Sequence, residues 1–131
     1  MEIDDLDEKG LKERTKQFAL QVMKLVDSLP NTVSARAVAN QLVRAGTSVG
    51  ANYRAACRGR SKAEFTAKLG TVVEEADECC FWLELIMDGD LIPLNRVEPL
   101  HQEANELTAI FVSSIRTAKS SISNQKWIDH E

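Results

Sequence analysis

The sequence is short of aromatic residues, proline and cysteine, and each shortage excludes a class of protein. Aromatic residues make up only 5% of the 131 residues, with 3 Pro and 6 Gly, which argues against a strand-rich barrel or sandwich. Three cysteines, two of them the adjacent Cys79 and Cys80, are too few for a disulfide framework, and no CxxC spacing indicates a zinc site or a redox motif. We therefore expect a helical protein from a reducing compartment.

Signals for export or membrane insertion are also missing. The first eight residues are acidic, whereas a signal peptide begins with a basic segment. No apolar run approaches the length that spans a membrane. We therefore expect the protein to be cytoplasmic.

Apolar residues recur at helical spacing along most of the chain. The clearest seam lies in residues 62–88 and advances in alternating steps of four and three residues through Phe65, Leu69, Val72, Ala76, Cys79, Leu83 and Ile86. Similar seams predict three further helices over residues 6–29, 34–58 and 95–122, and short connections place successive helices antiparallel. Residues 1–131 are thus predicted to form a single all-α domain, an up-down-up-down antiparallel four-helix bundle.

Capping residues set the expected ends of these helices. Ser61 and Glu64 form a capping-box pattern before the third helix. Ser34 and Asn95 are the expected caps of the second and fourth helices. Gly89 is expected to supply a left-handed turn after the third helix.

The second helix contains an unusual number of small residues between Gly46 and Ala51. Glycine and serine lower helix propensity, so their presence suggests that another backbone packs closely against this segment. The alternative is a helix that is merely weak.

Charge is distributed unevenly along the chain. The formal net charge is −4, yet residues 36–68 contain seven basic residues and one acidic residue, a sum of +6, which leaves −10 for the remainder. A helical wheel at about 100° per residue places Arg36, Arg44, Arg54 and Arg58 within an arc of about 80°, roughly opposite the apolar stripe. A row of guanidinium groups suits a phosphate backbone. The predicted nucleic-acid-binding residues are Arg36, Arg44, Arg54, Arg58, Arg60, Lys62 and Lys68.

Two other interpretations of this basic face stay open. The arginines could form a solvated surface, or they could pair with the acidic stretch between Glu74 and Asp90 on a neighbouring helix or subunit. Aromatic residues are not interleaved with the arginines apart from Tyr53, which the wheel turns toward the core. Contact with phosphate should therefore dominate over the reading of bases.

The third helix also has apolar residues on its outer side. Phe81 and Leu85 lie roughly opposite the core seam, with Trp82 on a flank, although an outer helix face should be polar. Such a patch typically marks a subunit interface, so Phe81, Trp82 and Leu85 are predicted to form the interface of a homo-oligomer. Leu20 and Met23 on the first helix are turned outward in the same way. The alternative is that loops or the C-terminal segment around Trp127 cover the patch.

No pattern in the sequence indicates an enzyme. A di-iron bundle needs two Glu-x-x-His units, and only Glu98 and His101 have this spacing. Gly46 and Gly50 lack the lysine of a phosphate-binding loop, and Cys79 lies on the core seam, where a thiol acts as a small hydrophobe. We expect no catalytic residues, no metal site and no cofactor.

The run at residues 41–61, QLVRAGTSVGANYRAACRGRS, resembles the signature of the bacterial four-helix-bundle proteins encoded in 23S rRNA intervening sequences. The residues that follow also fit this signature: Phe65, Leu69, Glu74, Glu78 and Trp82-Leu83-Glu84-Leu85. The resemblance implies a small cytoplasmic bundle that assembles as a ring-shaped homopentamer and has no established biochemical activity. A related bundle family, the accessory variability proteins of diversity-generating retroelements, is similar in fold and binds nucleic acid and a reverse transcriptase through a basic surface.

One departure from the family pattern bears on partners. Many members read Asn-Ile-Ala-Glu-Gly where this chain has residues 52–56, Asn-Tyr-Arg-Ala-Ala, so Arg54 makes this version more basic. The sequence thus predicts a non-enzymatic oligomeric bundle that binds a polyanion, RNA or another nucleic acid, through its second helix. The alternative is a protein-interaction scaffold whose basic face docks an acidic partner protein.

Overall fold

A computed structural model describes the backbone of residues 6–129 and the side chains of residues 6–122. It contains four α-helices and, within the described range, no β-strand: α1 (Glu8–Asp27), α2 (Val33–Cys57), α3 (Lys62–Asp88) and α4 (Glu98–Asp129). Each helix packs against the next, and α1 also approaches α4. The predicted all-α four-helix bundle is confirmed.

The core follows the predicted apolar seams. All seam residues of α3 are buried except Phe65, which is half-buried. Tyr53 of α2 is turned inward and its ring lies 5.2 Å from that of Phe111 of α4, centroid to centroid. Because large side chains from all four helices meet in one cluster, burial of apolar surface is the main force that holds the bundle together.

The predicted boundaries of the first two helices are corrected by their caps. Helix α1 begins at Glu8 and not at residue 6, because the Asp7 carboxylate accepts a 2.7 Å hydrogen bond from the Gly10 N–H. It ends at Asp27 and not at residue 29. Thr32, and not Ser34, caps α2, since the Thr32 backbone is extended and its hydroxyl accepts from the Ala35 N–H. Helix α2 ends at Cys57, one residue before the predicted end.

The third helix has the predicted limits, but the hydrogen bonds at its start and the turn at its end differ from the prediction. The Ser61 hydroxyl accepts from the Glu64 N–H at 3.0 Å, whereas the Glu64 carboxylate reaches the N–H of Arg60 and not that of Ser61. The prediction of a left-handed conformation at Gly89 is wrong. Gly89 has a φ of −85°, and Asp90 instead has a φ of 52°; a short polar side chain tolerates this conformation.

The fourth helix begins later than predicted and extends further. Asn95 lies in a 3₁₀ turn, Leu94–Arg96, and does not cap the helix, which starts at Glu98. Pro99 therefore occupies the first turn, where its missing N–H costs little. Helix α4 continues to Asp129, beyond the predicted end at residue 122.

Small residues allow α1 and α2 to approach closely, as the sequence suggested. A Cβ atom added at Gly46 would lie 2.8 Å from Val22 Cγ1, and one added at Gly50 would lie 3.1 Å from Thr15 Oγ1. Both partners are fully buried on α1. The Thr15 hydroxyl donates to its own helix, to the Leu11 carbonyl at 2.8 Å, so its burial leaves no donor unsatisfied.

None of the helices, over the residues described, combines the length and apolar character needed to cross a bilayer.

Candidate polyanion-binding surface

The arginines predicted to form one row on α2 have different neighbours and do not act as one site. Arg36 lies in the first turn of α2, about 27 Å along the axis from Arg54 at 1.5 Å per residue. Its guanidinium donates to the Asn31 side chain at 2.8 Å. Arg36 is therefore too far from the C-terminal arginines to contact the same phosphate.

Arg44, in the middle of the row, is bound to the neighbouring helix. Its guanidinium nitrogens lie 3.3 Å from Glu75 Oε2 and 2.6 Å from Glu78 Oε1 on α3. The hydrogen bond from Arg44 lowers the pKa of Glu78 below its ordinary value, more than partial burial raises it. At this position the arginine pairs with the acidic stretch of a neighbouring helix, which was one of the open interpretations.

The remaining predicted cations lie around the turn into α3. Lys62 hydrogen-bonds through its ammonium group to the Ser121 hydroxyl of α4. Arg60 and Lys68 are exposed. Arg36 lies at the opposite end of α2 from these residues, and the structure does not gather all seven predicted cations into one site.

Four cations do converge in a groove between α1 and α2. Arg54 and Arg58 line it from α2, and Lys12 and Lys16 line it from α1. Its volume is about 470 Å³. We call this site the basic groove; its lining consists of Lys12, Thr15, Lys16, Ala19, Thr47, Gly50, Ala51, Arg54 and Arg58.

The charges of the basic groove are largely uncompensated by the part of the chain that the structure describes. Lys16, Arg54 and Arg58 form no ion pair there. Lys12 lies 3.6 Å from Glu8, an exposed pair one helical turn apart, and such pairs contribute little. The lining itself contains no carboxylate, so the groove presents positive charge to an approaching ligand.

The two lysines of α1 were not among the cations predicted from the sequence. Lys12 and Lys16 are four residues apart and so share a face of α1, a signal that was visible in the sequence. What could not be seen was that this face borders the C-terminal half of α2. The close approaches of Gly50 to Thr15 and of Gly46 to Val22 fix that antiparallel register.

A second groove, at the end of the bundle, differs in charge. Its volume is about 520 Å³, and it is lined by residues of all four helices, including Tyr53, Cys57 and Lys62. The carboxylate of Glu8 also lines it, so cation and anion face the same space. Burial raises the pKa of the Cys57 thiol, which keeps it protonated and weakly nucleophilic at neutral pH.

The apolar patch predicted on α3 is exposed. Phe81 is 53% and Leu85 38% exposed. Trp82 is half-buried; its ring stands edge-on to Phe81 at 5.0 Å, and its indole N–H donates to Glu78 Oε1 at 3.1 Å. The proposed cover around Trp127 lies outside the described side chains.

Leu20 and Met23 of α1 are likewise 43% and 45% exposed. Helices α1 and α3 are not neighbours in the bundle. The described surface thus carries two apolar patches on different sides.

The residues considered for metal or thiol chemistry have different surroundings. His101 Nε2 lies 3.0 Å from Glu84 Oε2, and Glu98 is exposed at the start of α4. Cys79 is fully buried, which raises the pKa of its thiol. Among the described residues no group of three or more His, Cys, Asp and Glu side chains could hold a metal ion.

Comparison with known proteins identifies the family. A family model described as 23S rRNA-intervening sequence protein matches residues 10–124. The chain belongs to this family. A crystal structure of a protein of unknown function from the S23 ribosomal protein family of Bacteroides thetaiotaomicron is 32% identical, with 79% of this chain and 96% of that chain covered and a TM-score of 0.74. No curated protein matches the chain.

The matched range includes the basic groove and the apolar patch on α3. The basic groove lies between Lys12 and Arg58, and the apolar patch lies between Phe81 and Leu85, all inside residues 10–124. Both features therefore lie on the family fold and not on a terminal extension.

Proposed function

We propose that this member of the family is a non-enzymatic, cytoplasmic homo-oligomer that binds RNA through the basic groove. The observation that carries the proposal is the convergence of Lys12, Lys16, Arg54 and Arg58 from two helices on one groove whose lining holds no carboxylate. The family description names 23S rRNA, which makes RNA the first polyanion to test.

The chemistry of the four cations suits phosphate. Each cation that meets a phosphate releases condensed counterions, which favours binding at low salt. Arg54 and Arg58 add planar guanidinium forks that can donate two hydrogen bonds to one phosphate, whereas the lysines act as point charges. The lining contains no aromatic ring on which a base could stack, so phosphate contact carries the binding.

The test is fluorescence anisotropy of a labelled RNA hairpin with an unpaired tail, titrated with the protein at low and near-physiological salt. We expect tight binding at low salt that weakens steeply as salt rises. In the double variant Arg54→Glu/Arg58→Glu, binding should fall at least tenfold, because two cations of the groove become anions. The matched control is Lys24→Glu/Arg96→Glu, which changes the net charge equally at exposed residues beside a different groove and should bind nearly as the parent does.

Three results would count against the RNA proposal. Absence of RNA binding at low salt would end it, and equal losses in the two double variants would show that only the overall charge matters. Binding of an acidic protein with weak dependence on salt, without RNA binding, would favour the alternative of a scaffold that docks an acidic partner.

The oligomeric part of the proposal is supported by the two apolar patches. Phe81, Trp82 and Leu85 on α3 and Leu20 with Met23 on α1 lie on helices that are not adjacent. If the α3 patch of one copy packs on the α1 patch of the next, the interface is heterologous, the type that closes into rings.

Light scattering tests the interface directly. The variant Phe81→Glu/Leu85→Glu should reduce the mass of the assembly, because charges placed in an apolar contact are costly to bury. The control Lys62→Glu/Lys68→Glu changes two exposed residues of the same helix and should retain the parent mass. If the first variant keeps the parent mass, the α3 patch is not the interface.

A further inference from the structure

The four cations of the basic groove are arranged in steps along its length. Gly50 lies beside Thr15 in antiparallel helices, so Lys16 is nearly level with Gly50, and Lys12 is nearly level with Arg54. Arg58 lies one turn beyond. Four residues of helix advance about 6 Å, so three levels of positive charge follow one another along about 12 Å of groove.

The groove admits a narrow ligand only. Packed helices have axes about 8–10 Å apart, and the floor between α1 and α2 is made of small residues, among them Ala19, Gly50 and Ala51. A single chain of phosphates can enter such a space, whereas both strands of a duplex cannot enter together.

The lining offers little to a base. It has no aromatic ring for stacking and no carboxylate or amide side chain that could match a base edge. The hydroxyl hydrogens of Thr15 and Thr47 are already donated to the Leu11 and Val43 carbonyls of their own helices, at 2.8 and 2.7 Å. The ammonium and guanidinium groups are therefore the donors left for a ligand.

We infer that one strand of linked phosphates lies lengthwise in the basic groove, with its phosphates against Lys12, Lys16, Arg54 and Arg58 and any bases directed to solvent. The inference rests on the proposed function and names its ligand class: an unpaired phosphodiester strand, or inorganic polyphosphate, which has the same charged groups without bases. One phosphate for each of the three levels gives a slope of about −2 in log affinity against log salt concentration for a single strand.

The first test separates phosphates from bases. Labelled single-stranded RNAs of one base each, oligo-U, oligo-A and oligo-C, should bind within about threefold of one another. Inorganic polyphosphate should displace them fully. An oligonucleotide with the same bases and uncharged methylphosphonate linkages should not bind. Retained binding of the uncharged oligonucleotide, or failure of polyphosphate to compete, would overturn the inference, because either result requires contacts to bases or sugars.

The second test asks whether the strand lies in the groove or only across α2. The variant Lys12→Gln/Lys16→Gln should bind oligo-U about tenfold more weakly. Its salt slope should be shallower by about 0.7, since the phosphate at the level of Lys16 loses its only cation. The control Lys9→Gln/Lys24→Gln removes two exposed lysines of the same helix that do not line the groove and should retain the parent slope. Parent-like binding by the first variant would overturn the inference.

These failures are distinguishable from failure of the proposed function. If RNA binding is lost in Arg54→Glu/Arg58→Glu but polyphosphate does not compete, the RNA proposal stands and the single-strand inference is wrong. If neither RNA nor polyphosphate binds to the parent protein at low salt, both are wrong. If polyphosphate alone binds, the RNA proposal is wrong and the groove is a polyphosphate site.

Discussion

Helix α2 packs against both α3 and α1, and its arginines have different surroundings on the two sides. On the side of α3, Arg44 meets Glu75 and Glu78 and is held by ion pairs at 3.3 and 2.6 Å. On the side of α1, Arg54 and Arg58 face Lys12 and Lys16 across a groove. One face of a helical wheel thus contains one arginine that joins two helices and two that are open to a ligand.

The charge of the neighbouring helix thus decides whether a surface arginine forms an ion pair or stays open to a ligand. Helix α3 presents acidic residues toward α2, and α1 presents lysines. Like charges brought together repel one another, so the α1 boundary is held by apolar contact and by the close approach at Gly46 and Gly50. An anion that enters the groove relieves this repulsion, which favours binding.

The largest expected effect comes from widening the α1–α2 boundary. In Gly46→Ala the new methyl group would lie 2.8 Å from the buried, stiff Val22 side chain. The control Gly70→Ala adds the same methyl group on α3, where nothing lies within 4 Å. Because the gain in helix propensity is common to both, Gly46→Ala should be less stable than Gly70→Ala by about 1–3 kcal/mol in urea unfolding. Equal stabilities would show that the two helices separate without cost.

The next largest effect is a difference in RNA affinity between a variant of Arg54, which lines the groove, and a variant of Arg44, which is ion-paired. Arg54→Ala should weaken binding of labelled RNA by about tenfold, or about 1.4 kcal/mol, because it removes a cation from the groove. Arg44→Ala has the same change in charge and should alter binding far less, since its guanidinium is already engaged by two carboxylates. Equal losses of RNA affinity in the two variants would show that Arg44 and Arg54 contribute alike to binding.

The smallest effect concerns the Arg44 ion pairs and pH. The hydrogen bond from Arg44 lowers the pKa of Glu78 from its ordinary value of 4.5, so the carboxylate stabilises the folded state above pH 4.5 and this contribution is lost as pH falls through the lowered pKa. Arg44→Gln should therefore be slightly less stable than the parent at neutral pH, and the difference should shrink below pH 4.5. Urea midpoints measured from pH 7 to pH 3 test this. A difference that grows in acid would contradict the assignment.

Local patterns allowed most of the fold to be predicted. The spacing of apolar residues on α3 predicted both ends of that helix, because heptad periodicity and the Ser61 cap are properties of a short segment. The capping residue was less predictable where two nearby residues could serve. Thr32, and not Ser34, caps α2, and Asp90, and not Gly89, has the left-handed conformation.

The candidate site was predictable only in part. Arg54 and Arg58 could be placed on an outer face by periodicity alone. The engagement of Arg44 by Glu75 and Glu78 and the contribution of Lys12 and Lys16 could not, since both depend on which helix lies alongside α2 and at what register.

The sequence by itself determined the four helices, the inward side of each and the exposure of Phe81 and Leu85, because these follow from a residue's position on its own helix. Only the tertiary structure decided which cations are neutralised and which converge. Salt screens the interaction between exposed charges beyond about 8–10 Å. The function of a charged side chain therefore depends on the residues that the packing of helices, and not their order in the chain, brings within this distance.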